Sequence, residues 1–309
     1  MKGPTGPLGR LAKHGLHSAG YYHHRLAQIE FPGVAVLCYH GIRGDGTGDL
    51  PFHDLHVDRR AFEGHCRILR ECCSPISAPQ LLAALNGASL PPRPVLVTFD
   101  DGYRSVLDLG LPVLEQYEIP AAVFVCVEPI VRREHFWYDS MYRARGSEAV
   151  AATRRLGTAE WRTMADAVAT PARASDVHRP MTTNELHRLA ASPLIEIGGH
   201  TMTHLTLALA GIEEQRDEIE TCRDTVTALV GRIPAGFAYP YGLRPGDYSA
   251  DTVTLVAAAG FKYGFSTYQQ FAARDCSPFE IPRFVMVDGI DEAELAHRLA
   301  HSWHVAPPV

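Results

Sequence analysis

From Val34 onward, short apolar runs alternate with longer stretches whose apolar residues recur three or four apart. Runs at 34–39, 95–99, 121–127, 194–197, 236–239, 263–267 and 281–287 lack the polar alternation of a half-exposed strand, so they read as strands buried on both faces. Between them, 59–71, 77–85, 103–117, 182–191, 212–229, 249–259 and 291–301 carry helical spacing. In the first of these, Phe62, Cys66 and Leu69 fall along one side and Asp58 stands where an N-cap belongs. Strictly alternating strands and helices imply a parallel sheet wrapped by helices, an α/β fold of the (β/α) barrel type with about seven strands.

Two segments break the rhythm. Residues 129–180 are too long for a strand-to-helix connection and carry helical pattern of their own, so they are expected to form a helical cap beside the barrel mouth. Phe136, Trp137, Tyr138 and Asp139 make its aromatic knot; Trp137 can stack on a sugar or anchor the cap to the core. Residues 1–33 precede the first strand as a tail or surface helix, and 34–309 form the barrel. A weakly amphipathic pattern over 11–29, with Lys2, Arg10, Lys13 and Arg25 against Glu30 alone, suits either an anionic membrane surface or packing on the barrel.

Composition narrows the picture. At 309 residues the chain is long enough for one full core, and a net charge of −6 gives no reason to expect nucleic acid. No apolar run approaches the roughly 20 residues of a membrane span. Seven cysteines, an odd number without zinc-like pairs, suit reduced thiols, and the basic start has no apolar core of the secretory kind. A cytoplasmic location is therefore expected, with peripheral membrane association through the N-terminus open; oligomeric state leaves no mark.

The chemistry gathers at strand ends. The strand at 95–99 runs into Asp100, Asp101 and Gly102, and glycine lets the chain bend so that both carboxylates can face one pocket. Asp-Asp-Gly is also an ordinary turn. What distinguishes this one is Gly199-His200-Thr201-Met202-Thr203-His204 after the strand at 194–197. Two histidines four apart on a helical turn can grip one ion, and with Asp101 they make a site with open positions, catalytic rather than structural in type. Asp100, not needed as a ligand, is placed to take a proton from a metal-activated water.

Thr98 to Gly102, His200 to His204, and Phe237-Ala238-Tyr239-Pro240-Tyr241-Gly242, in this order and at these strand ends, resemble the polysaccharide deacetylase family, carbohydrate esterase family four. The resemblance runs over about 34–287. It implies a distorted seven-stranded barrel, Asp100 as base, Asp101, His200 and His204 as metal ligands, and the Tyr241 N–H as oxyanion donor. It also implies a divalent ion, zinc foremost, with cobalt or nickel as alternatives.

Two departures stand out. Ala238 occupies the place where many members carry an arginine that pairs with the catalytic aspartate; Arg283 is the candidate replacement, or else makes an ion pair elsewhere. The general acid that the family draws from a closing Leu-x-His motif is not assigned to His297, His301 or His304. His40, whose strand resembles that of the poly-N-acetylglucosamine deacetylase branch, is the candidate acid instead. The chain is thus expected to remove an N-acetyl or N-formyl group from an amino sugar, a lipid-linked glycan or a glycosylated small molecule. A carbohydrate-binding relative that has lost turnover and a non-haem iron oxygenase are the competing readings.

Overall fold

The structure is a computed structural model that describes residues 6–44, 50–301 and 303. The seven apolar runs form seven parallel strands: β1 (Ala35–Tyr39), β2 (Pro94–Phe99), β3 (Ala121–Val125), β4 (Ile195–Gly199), β5 (Gly236–Ala238), β6 (Tyr263–Phe265) and β7 (Phe284–Val285). From β1 to β6, neighbours in sequence are neighbours in the sheet, and β7 returns to lie beside β1 with Leu37 opposite Phe284. The β6 edge touches the segment entering β7 through one parallel bridge, Phe265 to Ile281. The sheet therefore curls until its edges meet along 281–285. Ser74–Pro75 adds a short strand beside the start of β2.

Every residue of β1, β2 and β3 is buried, which is why these strands read as unbroken apolar runs. Alternate residues still go to different places. Leu37, Tyr39, Val97, Phe99, Val123 and Ile197 pack outward with the helices, whereas Val36, Leu96, Phe124, Phe265 and Ile281 fill the curl of the sheet. Counting on in twos from Val36 and Leu96 carries Cys38, His40, Thr98 and Asp100 to the inner side.

The expected last strand at 281–287 is ladder-bonded only at Phe284–Val285; Ile281 bridges Phe265, and Arg283, in the seam between β6 and β7, turns its side chain inward. The helix expected over 103–117 divides into a π-helical stretch, Val106–Gly110, and a regular helix, Leu111–Gln116, with Pro112 in its first turn where the missing N–H costs nothing.

The insertion after β3 carries helices Val127–Arg132, Trp137–Thr153 and Thr158–Asp166. Their aromatic residues form a separate cluster with Tyr103, Phe237 and Tyr239 beside the strand ends. Trp137 is buried in it and donates its indole N–H to the His204 carbonyl at 3.3 Å, so it ties the cap to the barrel. At the N-terminus the amphipathic stretch makes two helices, Pro7–Ser18 and Tyr21–Ala27, broken at Gly20, whose φ of 74° is left-handed. They pack on helices Arg59–Cys72 and Glu292–Ala300. His304 and part of the loop after β2's neighbour β1, residues 45–49, lie outside the described residues.

Gly198 faces the inner side of β4, where an added Cβ would sit 2.4 Å from the Phe124 ring and 2.7 Å from the Gly236 carbonyl oxygen. The backbone cannot yield as a side chain can. Gly198→Ala is expected to cost about 1–3 kcal/mol, read as a lower urea midpoint at unchanged slope.

Candidate metal-dependent active site

Asp100 and Asp101 follow β2 directly, and strand alternation alone would send them to opposite faces. The chain breaks that alternation at Asp101 itself, whose φ is +71°, and continues left-handed through Gly102 at +93°. Such a backbone is uncommon for a residue with a Cβ and costs on the order of 1–3 kcal/mol. It brings both carboxylates into one cavity.

The histidines arrive from β4, but not on a helix. Residues 200–206 form a bent loop, because Thr201 and His204 adopt φ values of 64° and 62° that no α-helix accommodates. Glu218, buried on helix Ile212–Val230, accepts from the Met202 N–H at 2.9 Å, the Thr203 N–H at 3.0 Å and the Thr203 hydroxyl at 2.7 Å. The Thr201 hydroxyl accepts from the His204 N–H at 2.9 Å. These bonds do the positioning that a helical turn was expected to do.

His200 Nε2 and His204 Nε2 each lie 3.4 Å from Asp101 Oδ1. That oxygen is buried with no hydrogen-bond partner. The Nδ1 of His200 lies 2.7 Å from the Ala238 carbonyl, which fixes the proton there and turns the Nε2 lone pair toward Asp101. Buried lone pairs facing one another require positive charge between them. Ligand atoms of all three residues lie within 4.8 Å of one another, so the donor set and its spacing fit one divalent ion.

Arg283 takes care of the other carboxylate. Its Nη1 donates to Asp100 Oδ1 and its Nη2 to Asp100 Oδ2, both at 2.7 Å, while Nη1 also reaches Thr98 Oγ1 and Nε donates to the Ser266 carbonyl at 3.0 Å. Burial works to raise the Asp100 pKa, but the Arg283 guanidinium and the nearby histidines hold it below the usual carboxylate range. Asp101 is held well below that range against the same burial, by His200 and His204. The guanidinium that Ala238 cannot supply thus reaches Asp100 from across the seam.

Cys38 and His40 stand in the same inward column and reach within 4.8 Å of the Asp100 oxygens. They do not make a second metal site. Burial pushes the Cys38 thiol up, so it stays protonated and donates to Asp100 Oδ2 at 3.4 Å, and both Asp100 oxygens are engaged by Arg283.

The cavity over these groups measures about 440 Å³. His40, Asp100, Asp101, His200, His204 and Tyr241 form its floor, and the cap contributes Ser147, Val150, Ala151 and Arg154 as one wall. The Arg154 guanidinium lies 3.6 Å over the Tyr241 ring and pairs with Asp247. Tyr241 follows β5 with φ 62°, another left-handed residue at the cavity edge. The Leu-x-His spacing does occur, at Leu295-Ala296-His297 and Leu299-Ala300-His301, but His297 on the closing helix and His301 just after it lie beside Tyr22 and Tyr21, away from the cavity.

The polysaccharide deacetylase family model matches residues 87–264, more than half of the chain. The chain belongs to the polysaccharide deacetylase family. Asp100, Asp101, His200, His204 and Tyr241 fall inside the matched span, whereas His40 and Arg283 fall outside it. The poly-β-1,6-N-acetyl-D-glucosamine N-deacetylase of Staphylococcus aureus (strain MSSA476) is 23% identical over 233 residues, 75% of this chain and 68% of its own length. Among solved structures, IcaB from Ammonifex degensii superposes with a TM-score of 0.63 at 21% identity, covering 88% of this chain and 98% of that one. The Streptococcus pyogenes deacetylase PplD, in complex with acetate, gives the same TM-score at 16% identity, covering 86% and 98%. The distorted barrel of this deacetylase family is therefore the fold of the chain.

Sequence inspection missed Glu218 and Arg154. Glu218 had a signal, a carboxylate on the inner face of an amphipathic helix; Arg154 had none, because its place depends on how the cap folds back. Glu218→Ala strands three donors and is expected to weaken divalent-metal affinity by about 10–100-fold in a calorimetric titration. Glu218→Gln, which can still accept from both N–H groups, should stay within a few-fold of wild type.

Burial raises the Glu218 pKa to about 7. The folded state then holds a proton that the unfolded state releases near the ordinary glutamate value, so stability falls as pH rises through this window and is lowest above it. Urea unfolding from pH 5 to 8 should show that slope, and Glu218→Gln should flatten it.

Proposed function

We propose that the chain is a metal-dependent N-deacetylase acting on an N-acetylated amino sugar, with Asp101, His200 and His204 holding the ion. The observation that carries this reading is the paired arrangement of the two aspartates: Asp101 facing two imidazoles, and Asp100 alongside, kept ionised by Arg283. A divalent ion of the zinc, cobalt or nickel type would acidify a water and polarise the acyl carbonyl.

The protein groups account for the proton movements. Asp100 accepts a proton from the attacking water, whose oxygen bonds to the acyl carbon. The Tyr241 N–H donates to the oxygen that becomes negative. His40, half-buried at the end of β1 and close to Asp100, donates a proton to the sugar nitrogen as the C–N bond breaks, leaving a free amine and acetate. Arg283 acts through Asp100, fixing its orientation and its charge.

The family match does not favour the oxygenase or binding-only readings, and the guanidinium supplied by Arg283 removes the main argument for lost turnover. The staphylococcal relative is described as acting on a β-1,6-linked N-acetylglucosamine polymer. Here the cap walls one side of the cavity, and Phe52, Leu55, Leu243 and Val285 make much of the remainder apolar. This favours an amino sugar at the end of a chain, or one attached to an apolar group such as a lipid carrier, over the interior of a long polymer.

Amine release from N-acetylated sugars should disappear with a chelator and return with zinc, cobalt or nickel. Asp101→Ala should lose both metal and activity. Asp100→Asn should keep the metal and lose about 10²–10⁴ in kcat; full activity in Asp100→Asn, or chelator-resistant turnover, would contradict the assignment.

Arg283→Met removes one partner of a buried pair and should destabilise the fold by about 3–5 kcal/mol. Because the Asp100 pKa is depressed in the folded state, the pair's contribution is complete at neutral pH and fades only as pH drops through and below the carboxylate range. Denaturant melts of wild type and variant should therefore converge in strong acid.

A further inference from the structure

The cavity holds a positive charge that the proposed reaction does not use. Asp100 has Arg283 and Asp101 faces the histidines, whereas Arg154 stands apart on the cap wall. Its position is nevertheless closely fixed. The Arg154 carbonyl, at the end of helix Trp137–Thr153, accepts from the Thr206 hydroxyl at 2.9 Å. The guanidinium lies over the Tyr241 ring in a cation–π contact, and its Nη2 donates to Asp247 Oδ1. Asp247 is itself buried, with Oδ2 accepting from the Leu243 N–H at 2.9 Å.

That anchoring engages one of the five N–H donors of the guanidinium. Nη1 and Nε meet no acceptor among the described residues, and the side chain, which lines the cavity, is 38% exposed. A cation held in place with most of its donors open is suited to an anion. The Tyr241 ring meets the His204 ring edge to face at 4.8 Å, so the guanidinium is one aromatic ring removed from that imidazole. In a 2-acetamido sugar the anomeric carbon is bonded to the carbon that carries the nitrogen, so with the acyl group over Asp101 a charged substituent on the anomeric carbon comes within reach of Arg154. An anomeric phosphate is also the linkage that joins a sugar to an apolar carrier, and Leu243, exposed in the same cavity, offers apolar surface beside the Arg154–Asp247 pair. We propose that Arg154 is a specificity-determining residue that binds the phosphate of an N-acetylated amino sugar presented as its anomeric phosphate ester. This rests on the deacetylase reading and adds to it the charge of the group beside the reacting amide.

Products bind without reacting, which separates recognition from turnover. Calorimetric titration of the zinc-loaded full chain with glucosamine 1-phosphate and with methyl glucosaminide should show the phosphate bound at least about tenfold more tightly, the size of one charge-assisted hydrogen bond. Arg154→Gln should remove most of that preference. Asp247→Asn breaks the same ion pair between cap and barrel but leaves the cation, and should keep the preference. Glucosamine 6-phosphate should bind no better than the methyl glycoside. Equal affinity for the 1-phosphate and the methyl glycoside overturns the proposal, as does a preference that survives Arg154→Gln, which would belong to the ion. A 6-phosphate bound as tightly as the 1-phosphate overturns the anomeric assignment. Loss of the preference in both variants would make Arg154 a brace for the cap and overturn the proposal equally. An Arg154-dependent preference in a chain that releases no amine from any N-acetylated sugar would uphold the phosphate site and count against the deacetylase reading.

Discussion

Two adjacent carboxylates, both almost fully buried, have to remain ionised within one cavity. Burial alone would protonate them, and their mutual repulsion would add to the pressure. The fold answers the two in different ways. Arg283 reaches Asp100 across the seam between β6 and β7, and the imidazoles of His200 and His204 converge on Asp101 from the end of β4. A guanidinium cannot give up its proton at neutral pH, so Asp100 is held as an anion. Asp101 has no such fixed partner, and its unbonded oxygen is where a divalent ion fits.

That division is costly in backbone terms. Asp101, Thr201, His204 and Tyr241 all sit in the left-handed region at the cavity edge. Strain of this kind persists only where the surroundings over-determine it. Glu218 clamps the histidine loop, the Trp137 indole holds the His204 carbonyl, and the β2 and β4 ladders fix the approaching strands. The cap therefore does two jobs. It braces the histidine loop through Trp137 and closes one wall of the cavity through Val150, Ala151 and Arg154.

Much of the fold was legible because parallel strands buried on both faces leave continuous apolar runs, and seven of them are present in order. The convergence of Asp101 with His200 and His204 could be read from strand ends followed by turns. The conformation of the histidine loop could not, because His-x-x-x-His spacing fits a helical turn as well as the bent loop that Glu218 stabilises. The pairing of Arg283 with Asp100 was a choice between two equal readings in sequence, and only the curl of the sheet brings positions 100 and 283 together. The outward apolar face of the first helix was visible as amphipathicity. Its direction depends on three acids about 280 residues away, which no local pattern reveals.

The most direct test of the divided-carboxylate account is a metal-edge X-ray absorption or anomalous-diffraction measurement on the zinc-loaded protein. The account predicts one ion with two imidazole nitrogens at about 2.0–2.1 Å and a carboxylate oxygen of Asp101, with Asp100 still paired to Arg283 and unbonded to the ion. An ion ligated by Asp100 together with Cys38 or His40, or one found away from Asp101, would contradict it.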